Sequence, residues 1–187
     1  MAKIKKWPIA LILIVVLSIS AIWIGLNMRF PVRYLDVIQT HSGELDPSWI
    51  LAVIMAESSF RPMALSRQGA QGLMQIMPAT AEEIATLMGL YSFEPEHIWI
   101  PEVNIAMGSF YLNRLLTRYQ GDLQLALAAY NAGQGNVNRW LLDPRFSSDG
   151  KTLNVIPFPE TDTYLRRVML NQRVYSFILT ITRYIRR

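Results

Sequence analysis

The sequence predicts an all-helical domain that follows one membrane-spanning helix. Three observations favour this fold class: an uncharged apolar run near the N-terminus, several segments bounded by helix-capping residues, and very little period-2 alternation of apolar and polar residues. The chain has 187 residues, of which 51% are hydrophobic, which is enough for one domain with a substantial core. We expect the membrane helix in residues 1–28 and the globular domain in residues 29–187.

The apolar run extends from Trp7 to Leu26 and contains no charged residue. At about 1.5 Å per residue, a helix of this length matches a hydrocarbon core of roughly 30 Å. Three lysines lie before it, within residues 1–6, and such residues stay on the cytoplasmic side of a membrane. We therefore expect the domain on the outer, periplasmic side of the cytoplasmic membrane. The alternative is a secretory signal, cleaved near Ser18 to Ala21, and a protein secreted to the periplasm.

Capping residues divide the domain into helices. The first predicted helix starts at Asp46-Pro47, with Asp as N-cap and Pro in the first turn, and stops before Pro62. Gly89 and Gly121 end later helices, and the stretch NAGQGN forms a turn. An irregular segment rich in Pro, Ser and Gly precedes the last helix. The other predicted helices are Pro78 to Met88, Pro101 to Tyr119, Leu123 to Tyr130, Val137 to Leu142 and Asp162 to Ile185.

Composition excludes several kinds of site. The chain has no cysteine, and therefore no disulfide, thiolate metal site or thiol nucleophile. Its two histidines, His41 and His97, lack a zinc-binding pattern and suit surface or capping positions, so we expect neither metal nor cofactor. Residues 160–187 carry six arginines and two acidic residues. This end forms a solvated helix face or binds an anionic partner such as lipid head groups or cell-wall polymer. No nucleic-acid-binding motif accompanies the arginines, so no nucleic acid is expected.

Glu57 stands at the end of an apolar helix. Ile50, Val53, Ile54 and Glu57 have the spacing of one helix face, which places the carboxyl group on the side that faces the core. Burial raises the pKa of a carboxyl group, and an acid that is protonated near neutral pH can serve as a general acid. The spacing is equally compatible with a Glu57 that turns to solvent or pairs with Arg61.

A polar, glycine-marked segment follows Glu57. Gly69 and Gly72 can let the backbone approach a ligand closely, and Ser66, Gln71 and Gln75 supply hydrogen-bonding groups beside them. The same residue types are common in ordinary turns. The segment is therefore compatible with either a ligand-binding loop or a structural turn.

Four short motifs occur in one order along the chain: ESSF at 57–60, GLMQIMP at 72–78, ALAAYNAG at 126–133 and IPFPET at 156–161. Their order and spacing resemble those of the SLT-type lytic transglycosylases, the peptidoglycan-cleaving enzymes of glycoside hydrolase family 23. The resemblance covers roughly residues 32–175 and implies a lysozyme-like helical fold related to goose-type lysozyme. One departure is Ile100, which replaces the Asp that often precedes Pro101, so we expect that helix to lack a side-chain cap.

The resemblance also implies roles for individual residues. Glu57 would be the catalytic acid and base, and Ser66 would position the sugar or polarise its acetamido group. Gln75 and Met77 would contact N-acetyl sugars, with Met77 as core filler the alternative. Tyr130 would lie beside the reacting ring, with a packing residue as the alternative. Glu160 would be a second acid that orders the cleft, and the alternative is a cap of the last helix.

A single well-placed carboxylate suits a substrate-assisted reaction, since most glycosidases need two. By this resemblance, the chain would cleave the β-1,4 bond between N-acetylmuramic acid and N-acetylglucosamine in peptidoglycan. As a carbon–oxygen lyase it would leave 1,6-anhydromuramyl ends, as part of cell-wall remodelling. A hydrolytic muramidase and a non-catalytic peptidoglycan-binding assembly module are the alternatives. Assembly partners in the cell envelope have no signature in the sequence.

Overall fold

The computed structural model describes residues 7–185, apart from the side chains of residues 8–10. The chain divides after Val32 into two compact units. In the first unit, helix α1 runs over Trp7–Arg29, and its segment Leu11–Arg29 is long and apolar enough to cross a membrane. The lysines that predict its orientation, within residues 1–6, lie outside the described residues, as do Arg186 and Arg187.

The second unit is built from seven α-helices and one 3-10 helix within the described range. Its regular elements are α2 Leu35–His41, α3 Pro47–Glu57, α4 Pro78–Leu87, the 3-10 helix Pro95–Trp99, α5 Pro101–Arg118, α6 Leu123–Ala132, α7 Gln134–Leu141 and α8 Pro159–Ile185. Extended pairing in this range is limited to two isolated bridges, Leu65 with Gln71 and Gln71 with Ile76. The predicted all-helical fold class is confirmed.

Helix α3 lies at the centre of the domain. The long helix α8 packs along it, and α2 contacts it as well. All side chains from Ile50 to Met55 are buried, including those outside the predicted apolar stripe. The sequence spacing therefore identified a buried helix but not one buried face, because neighbours enclose α3 on several sides. Glu57, the last residue of α3, is therefore attached to a buried helix.

Capping accounts for the helix starts that the sequence predicted. The Asp46 carboxylate accepts a hydrogen bond from Ser48 N at 2.9 Å, and the Asp122 carboxylate accepts one from Leu125 N at 2.9 Å. The N-cap of α5 is Ile100, which makes no side-chain capping bond, as its sequence predicted. Two short elements, α2 and the 3-10 helix, were not predicted, because neither is long enough to show a helical period.

The junction between α6 and α7 is tighter than the sequence predicted. The stretch NAGQGN was expected to form a turn, but α6 continues to Ala132 and α7 begins at Gln134. Gly133 alone changes the chain direction, with φ 85°, a conformation that costs glycine little. Nearby, the Thr161 hydroxyl donates to Asn131 Oδ1 at 2.8 Å and ties the end of α6 to the start of α8.

Candidate active site

Glu57 is the last residue of α3, and the chain turns sharply after it. Ser59 and Phe60 both have positive φ values, 52° and 60°, which cost non-glycine residues roughly 1–2 kcal/mol each. Phe60 is buried against Tyr175, with 6.3 Å between the ring centroids, and this packing holds the strained turn in place. Arg61 donates from Nε to Ser58 O at 3.0 Å, and so braces the turn through the backbone.

The Glu57 carboxyl group is the most perturbed acid of the domain. The residue as a whole is partly exposed, but its carboxyl group is enclosed, and burial raises its pKa from 4.5 to about 7. The Tyr164 hydroxyl and the Arg167 guanidinium lower this pKa, while the negative charge of Glu160 raises it. Glu57 is therefore divided between its neutral and ionised forms near neutral pH.

Two residues of α8, Tyr164 and Arg167, face Glu57, although the sequence motifs did not assign either of them to the site. The Tyr164 hydroxyl is buried and interacts with the Glu57 carboxyl, but has no hydrogen-bond partner of good geometry among the described residues. Arg167 Nη1 lies 3.5 Å from Ala56 O, so its guanidinium reaches the end of α3. Both residues lie on the last predicted helix but in none of the four motifs, and only the packing of α8 against α3 reveals that they face Glu57.

Tyr130 interacts electrostatically with Glu57 and is bonded to the loop between α3 and α4. Its hydroxyl donates to Met74 O at 2.9 Å, and its ring centroid lies 5.6 Å from that of Tyr111. Burial raises the pKa of Tyr130 well above its usual value, and the charges of Glu57 and Tyr111 raise it further. The Tyr130 hydroxyl thus stays protonated and is fixed to the backbone of the GLMQIMP segment.

A pocket of about 260 Å³ opens beside Tyr130. It brings together three residues that the sequence analysis assigned to substrate contacts, Gln75, Met77 and Tyr130. Met77 is 40% exposed, so it does not fill the core. Tyr111 and Thr80 also line the pocket and had no motif to indicate them. Half-exposed aromatic and hydroxyl side chains of this kind suit contacts with a sugar ring and its substituents.

Hydrogen bonds within the loop between α3 and α4 limit which polar groups of its side chains remain free to bind a ligand. Gln75 donates both amide protons, to Ala64 O and to Gly72 O, each at 2.9 Å. Only its Oε1 remains for a ligand, so Gln75 can accept from a substrate but not donate. The Ser66 hydroxyl accepts from Ala70 N at 2.9 Å and keeps its own proton for another acceptor.

Two predicted site residues lie apart from this pocket. Ser66 occupies the turn at residues 66–70 and does not line it. Glu160 is exposed and is the second residue of α8, so it is not the N-cap of that helix. Its influence on Glu57 is electrostatic. The pocket thus brings together Gln75, Met77 and Tyr130, and Glu57 interacts electrostatically with Tyr130, whereas Ser66 and Glu160 do not line the pocket.

Within residues 7–185, no group of three or more His, Asp or Glu side chains could hold a metal ion. His97 Nδ1 accepts a hydrogen bond from Glu94 N at 3.1 Å. This bond closes the turn of the 3-10 helix and agrees with the predicted capping position.

Comparison with known proteins identifies relatives. The family model described as the transglycosylase SLT domain matches residues 38–152. The soluble lytic murein transglycosylase of Escherichia coli is 32% identical over 84% of this chain and 25% of its own length. The membrane-bound lytic murein transglycosylase C of Edwardsiella ictaluri is 34% identical over 78% of this chain and 47% of its own. The chain thus spans about a quarter to a half of the length of these relatives.

Solved structures agree with the sequence relatives. An inactive mutant of lytic transglycosylase Slt from Pseudomonas aeruginosa has a TM-score of 0.73 and 34% identity over 83% of this chain and 26% of that one. The 70 kDa soluble lytic transglycosylase of Escherichia coli has a TM-score of 0.74 and 30% identity over 85% and 26%. The family match includes Glu57 and the loop between α3 and α4. By the match over residues 38–152, the chain belongs to the transglycosylase SLT domain family.

Proposed function

We propose that this chain is a lytic transglycosylase that cleaves the glycan strands of peptidoglycan. The observation that carries the proposal is the Glu57 carboxyl group, with a pKa raised to about 7 by burial, coupled to Tyr130 at the edge of an open pocket. The names of the relatives support the reaction class, since they are lytic murein transglycosylases.

Glu57 performs both proton transfers of the proposed reaction. Its neutral form donates a proton to the oxygen of the β-1,4 bond between N-acetylmuramic acid and N-acetylglucosamine, and the bond breaks as the acetamido oxygen attacks the anomeric carbon. The resulting carboxylate then takes the proton of the muramyl C6 hydroxyl, whose oxygen displaces the acetamido group. The product has a 1,6-anhydromuramyl end, and Glu57 is neutral again. A pKa near 7 suits both steps, because neither form is strongly favoured.

The surroundings of Glu57 support separate roles for its two charge states. Burial favours the neutral acid before the first step, and the Tyr164 hydroxyl and Arg167 favour the carboxylate that the step produces. Glu160 acts from the exposed start of α8 and disfavours that carboxylate. We assign it to ordering the cleft, and Ser66 to binding the acetamido group through its free hydroxyl proton.

We further propose that α1 anchors the enzyme in the cytoplasmic membrane, with the domain on the outer side. The segment Leu11–Arg29 is compatible in length and hydropathy with a membrane span, and one group of relatives is named membrane-bound. The enzyme would then act on wall close to the membrane, in cell-wall remodelling.

The test is to incubate the purified full chain, in detergent, with peptidoglycan beside its Glu57→Gln variant. The released muropeptides are identified by mass and by their chain ends. We expect anhydromuramyl ends from the wild-type chain and none from Glu57→Gln. Reducing muramyl ends would instead indicate a hydrolase, and binding without release by either protein would indicate a non-catalytic wall-binding module.

A further inference from the structure

Asn104, in the first turn of α5, is almost fully buried, with 1% of its surface exposed. Its Oδ1 accepts from Met74 N at 2.7 Å, and its Nδ2 donates to Gln71 O at 3.1 Å and Ile98 O at 3.0 Å. Both amide protons are used, so the orientation of the side chain is determined. None of the four motifs contains Asn104, yet it bonds to Met74 of the GLMQIMP segment and to Gln71, the residue just before that segment.

Two glycines allow this segment to lie against α5. A Cβ atom on Gly72 would lie 2.1 Å from Asn104 Nδ2, and one on Gly108, a turn further along α5, would lie 2.4 Å from Met74 Sδ. These are distances that Cβ atoms do not reach in real proteins. The backbone of Gly72 and the side chain of Met74 thus pack closely against Asn104 and Gly108 of α5, where a Cβ atom on either glycine would not fit.

Met74 is held at both of its backbone polar groups. Its N–H donates to Asn104, and its carbonyl accepts from the Tyr130 hydroxyl at 2.9 Å. Tyr130 in turn interacts with the Glu57 carboxyl. The next residue along the chain is Gln75, which lines the pocket. Hydrogen bonds therefore lead from Asn104 through Met74 to Tyr130, whose hydroxyl interacts electrostatically with Glu57, and the residue after Met74 lines the pocket.

We infer that Asn104 is a positioning residue for the reaction: through Met74 it sets where the Tyr130 hydroxyl lies relative to Glu57. It does not touch the substrate, so its loss moves Tyr130 and the loop segment around Gln75 without removing a catalytic group. Misplacement of reacting groups by as little as 1 Å can cost about 10²-fold in rate. This inference rests on the proposed activity, because it concerns the same site.

Asn113 provides a matched control on the same helix. It also uses its amide for the backbone, accepting from Glu44 N at 3.2 Å and donating to Ser42 O at 2.8 Å. It also lies against a glycine, since a Cβ atom on Gly43 would be 2.8 Å from Asn113 Oδ1. The loop it holds precedes α3 and does not line the pocket. A purely structural role predicts the same behaviour for both asparagines.

The experiment compares Asn104→Ser and Asn113→Ser, each alone and combined with Tyr130→Phe, in the full chain in detergent. Initial rates on soluble glycan strands give kcat and KM, and thermal unfolding gives stability. We expect both serine variants to lose similar stability. Asn104→Ser should lower kcat about tenfold with KM within about twofold, since positioning errors act on the reacting groups. Asn113→Ser should leave kcat within about twofold.

The double variants test whether Asn104 acts through Tyr130. In the Tyr130→Phe background, Asn104→Ser should lower kcat by less than about twofold, because the contact it positions is already absent. Equal effects of Asn104→Ser with and without the Tyr130 hydroxyl would overturn the inference. So would equal kcat losses for the two serine variants. If Asn104→Ser does not fold, Gly108→Ala is used instead, because its Cβ atom would clash with the Met74 side chain and displace it. Normal turnover of Gly108→Ala would also refute the inference.

A spectroscopic reading separates this inference from the proposed function. With tyrosine labelled by ¹³C at Cζ, the Tyr130 resonance reports its hydrogen bond to Met74 without any substrate. We expect it to shift in Asn104→Ser and to keep its wild-type position in Asn113→Ser. An inactive wild-type chain would refute the proposed function alone, whereas an unshifted Tyr130 resonance in Asn104→Ser would refute the positioning role alone.

Discussion

At the scale of single residues, Glu57 makes the stability of the domain depend on pH. Burial raises its pKa from 4.5 to about 7, so the folded chain binds this proton more tightly than the unfolded chain does. The stabilisation is complete below about pH 4.5 and is lost as the pH rises through about 7. The loss amounts to at most about 3 kcal/mol.

Glu57→Gln, which is neutral at every pH, should avoid this loss. We expect it to match the wild-type stability at pH 4 and to exceed it at pH 8, by up to about 3 kcal/mol. Denaturant unfolding at pH 4, 6 and 8 measures the difference. Glu83→Gln, at an exposed position on α4, controls for the loss of one charge. A constant difference between Glu57→Gln and wild type at all three pH values would contradict the prediction.

Tyr164→Phe should alter the pH profile of the reaction and leave the fold intact. The Tyr164 hydroxyl lowers the pKa of Glu57, so its removal raises that pKa. Glu57 then remains neutral to higher pH, and the alkaline limb of the kcat/KM profile should move to higher pH. Stability below about pH 4.5, where Glu57 is neutral in the folded chain, should change little, because the buried hydroxyl has no well-formed hydrogen bond to lose. Arg167→Gln should move the limb in the same direction.

The control for this prediction is Tyr119→Phe. That hydroxyl donates to Asn138 Oδ1 at 3.2 Å, and Glu57 does not contribute to its electrostatics. The control should therefore lose some stability with an unchanged profile. An alkaline limb that moves to lower pH in Tyr164→Phe would contradict the prediction, because it would show that the hydroxyl raises the pKa of Glu57.

At the scale of elements, the fit between α5 and the loop before α4 depends on Gly72. Gly72→Ala adds a Cβ atom 2.1 Å from Asn104 Nδ2 at a φ of 79°. We expect a loss of roughly 2–5 kcal/mol, the sum of backbone strain and overpacking. Gly69→Ala, at φ 92° with no atom within 4 Å, should show the strain alone, roughly 1–2 kcal/mol. Equal losses in the two variants, by denaturant unfolding, would refute the steric contribution.

Local signals made the helix starts predictable, whereas the site depends on contacts distant in sequence. The capping residues Asp46 and Asp122 act within three positions of themselves, so the sequence alone reveals them. Asn104 reaches Met74 across 30 residues, and Tyr130 reaches Met74 across 56. No period or motif encodes such pairs. Tyr164 shows the same limit, because only the packing of α8 against α3 brings it to Glu57.

At the scale of the whole molecule, the chain combines a globular unit with a separate apolar helix. The side chains of α1 are exposed over most of its length, including Leu17 at 67% and Ile22 at 71%. Water disfavours such a surface by about 25 cal/mol per Å² of apolar area, whereas hydrocarbon does not. A membrane is the environment that suits this helix, and we expect it to retain the full chain there.

Charges placed on α1 should release the protein. Leu17→Asp with Ile22→Asp puts two acids near the helix centre, each at a cost of roughly 2.5–3.5 kcal/mol for membrane insertion. After salt and alkaline washes, the wild-type chain and the matched double Ala variant should stay in the membrane pellet. The Asp variant should not. A soluble wild-type protein whose N-terminus, by mass spectrometry, begins near residue 21 would instead identify α1 as a cleaved signal, because only removal of the apolar run frees an otherwise unchanged domain.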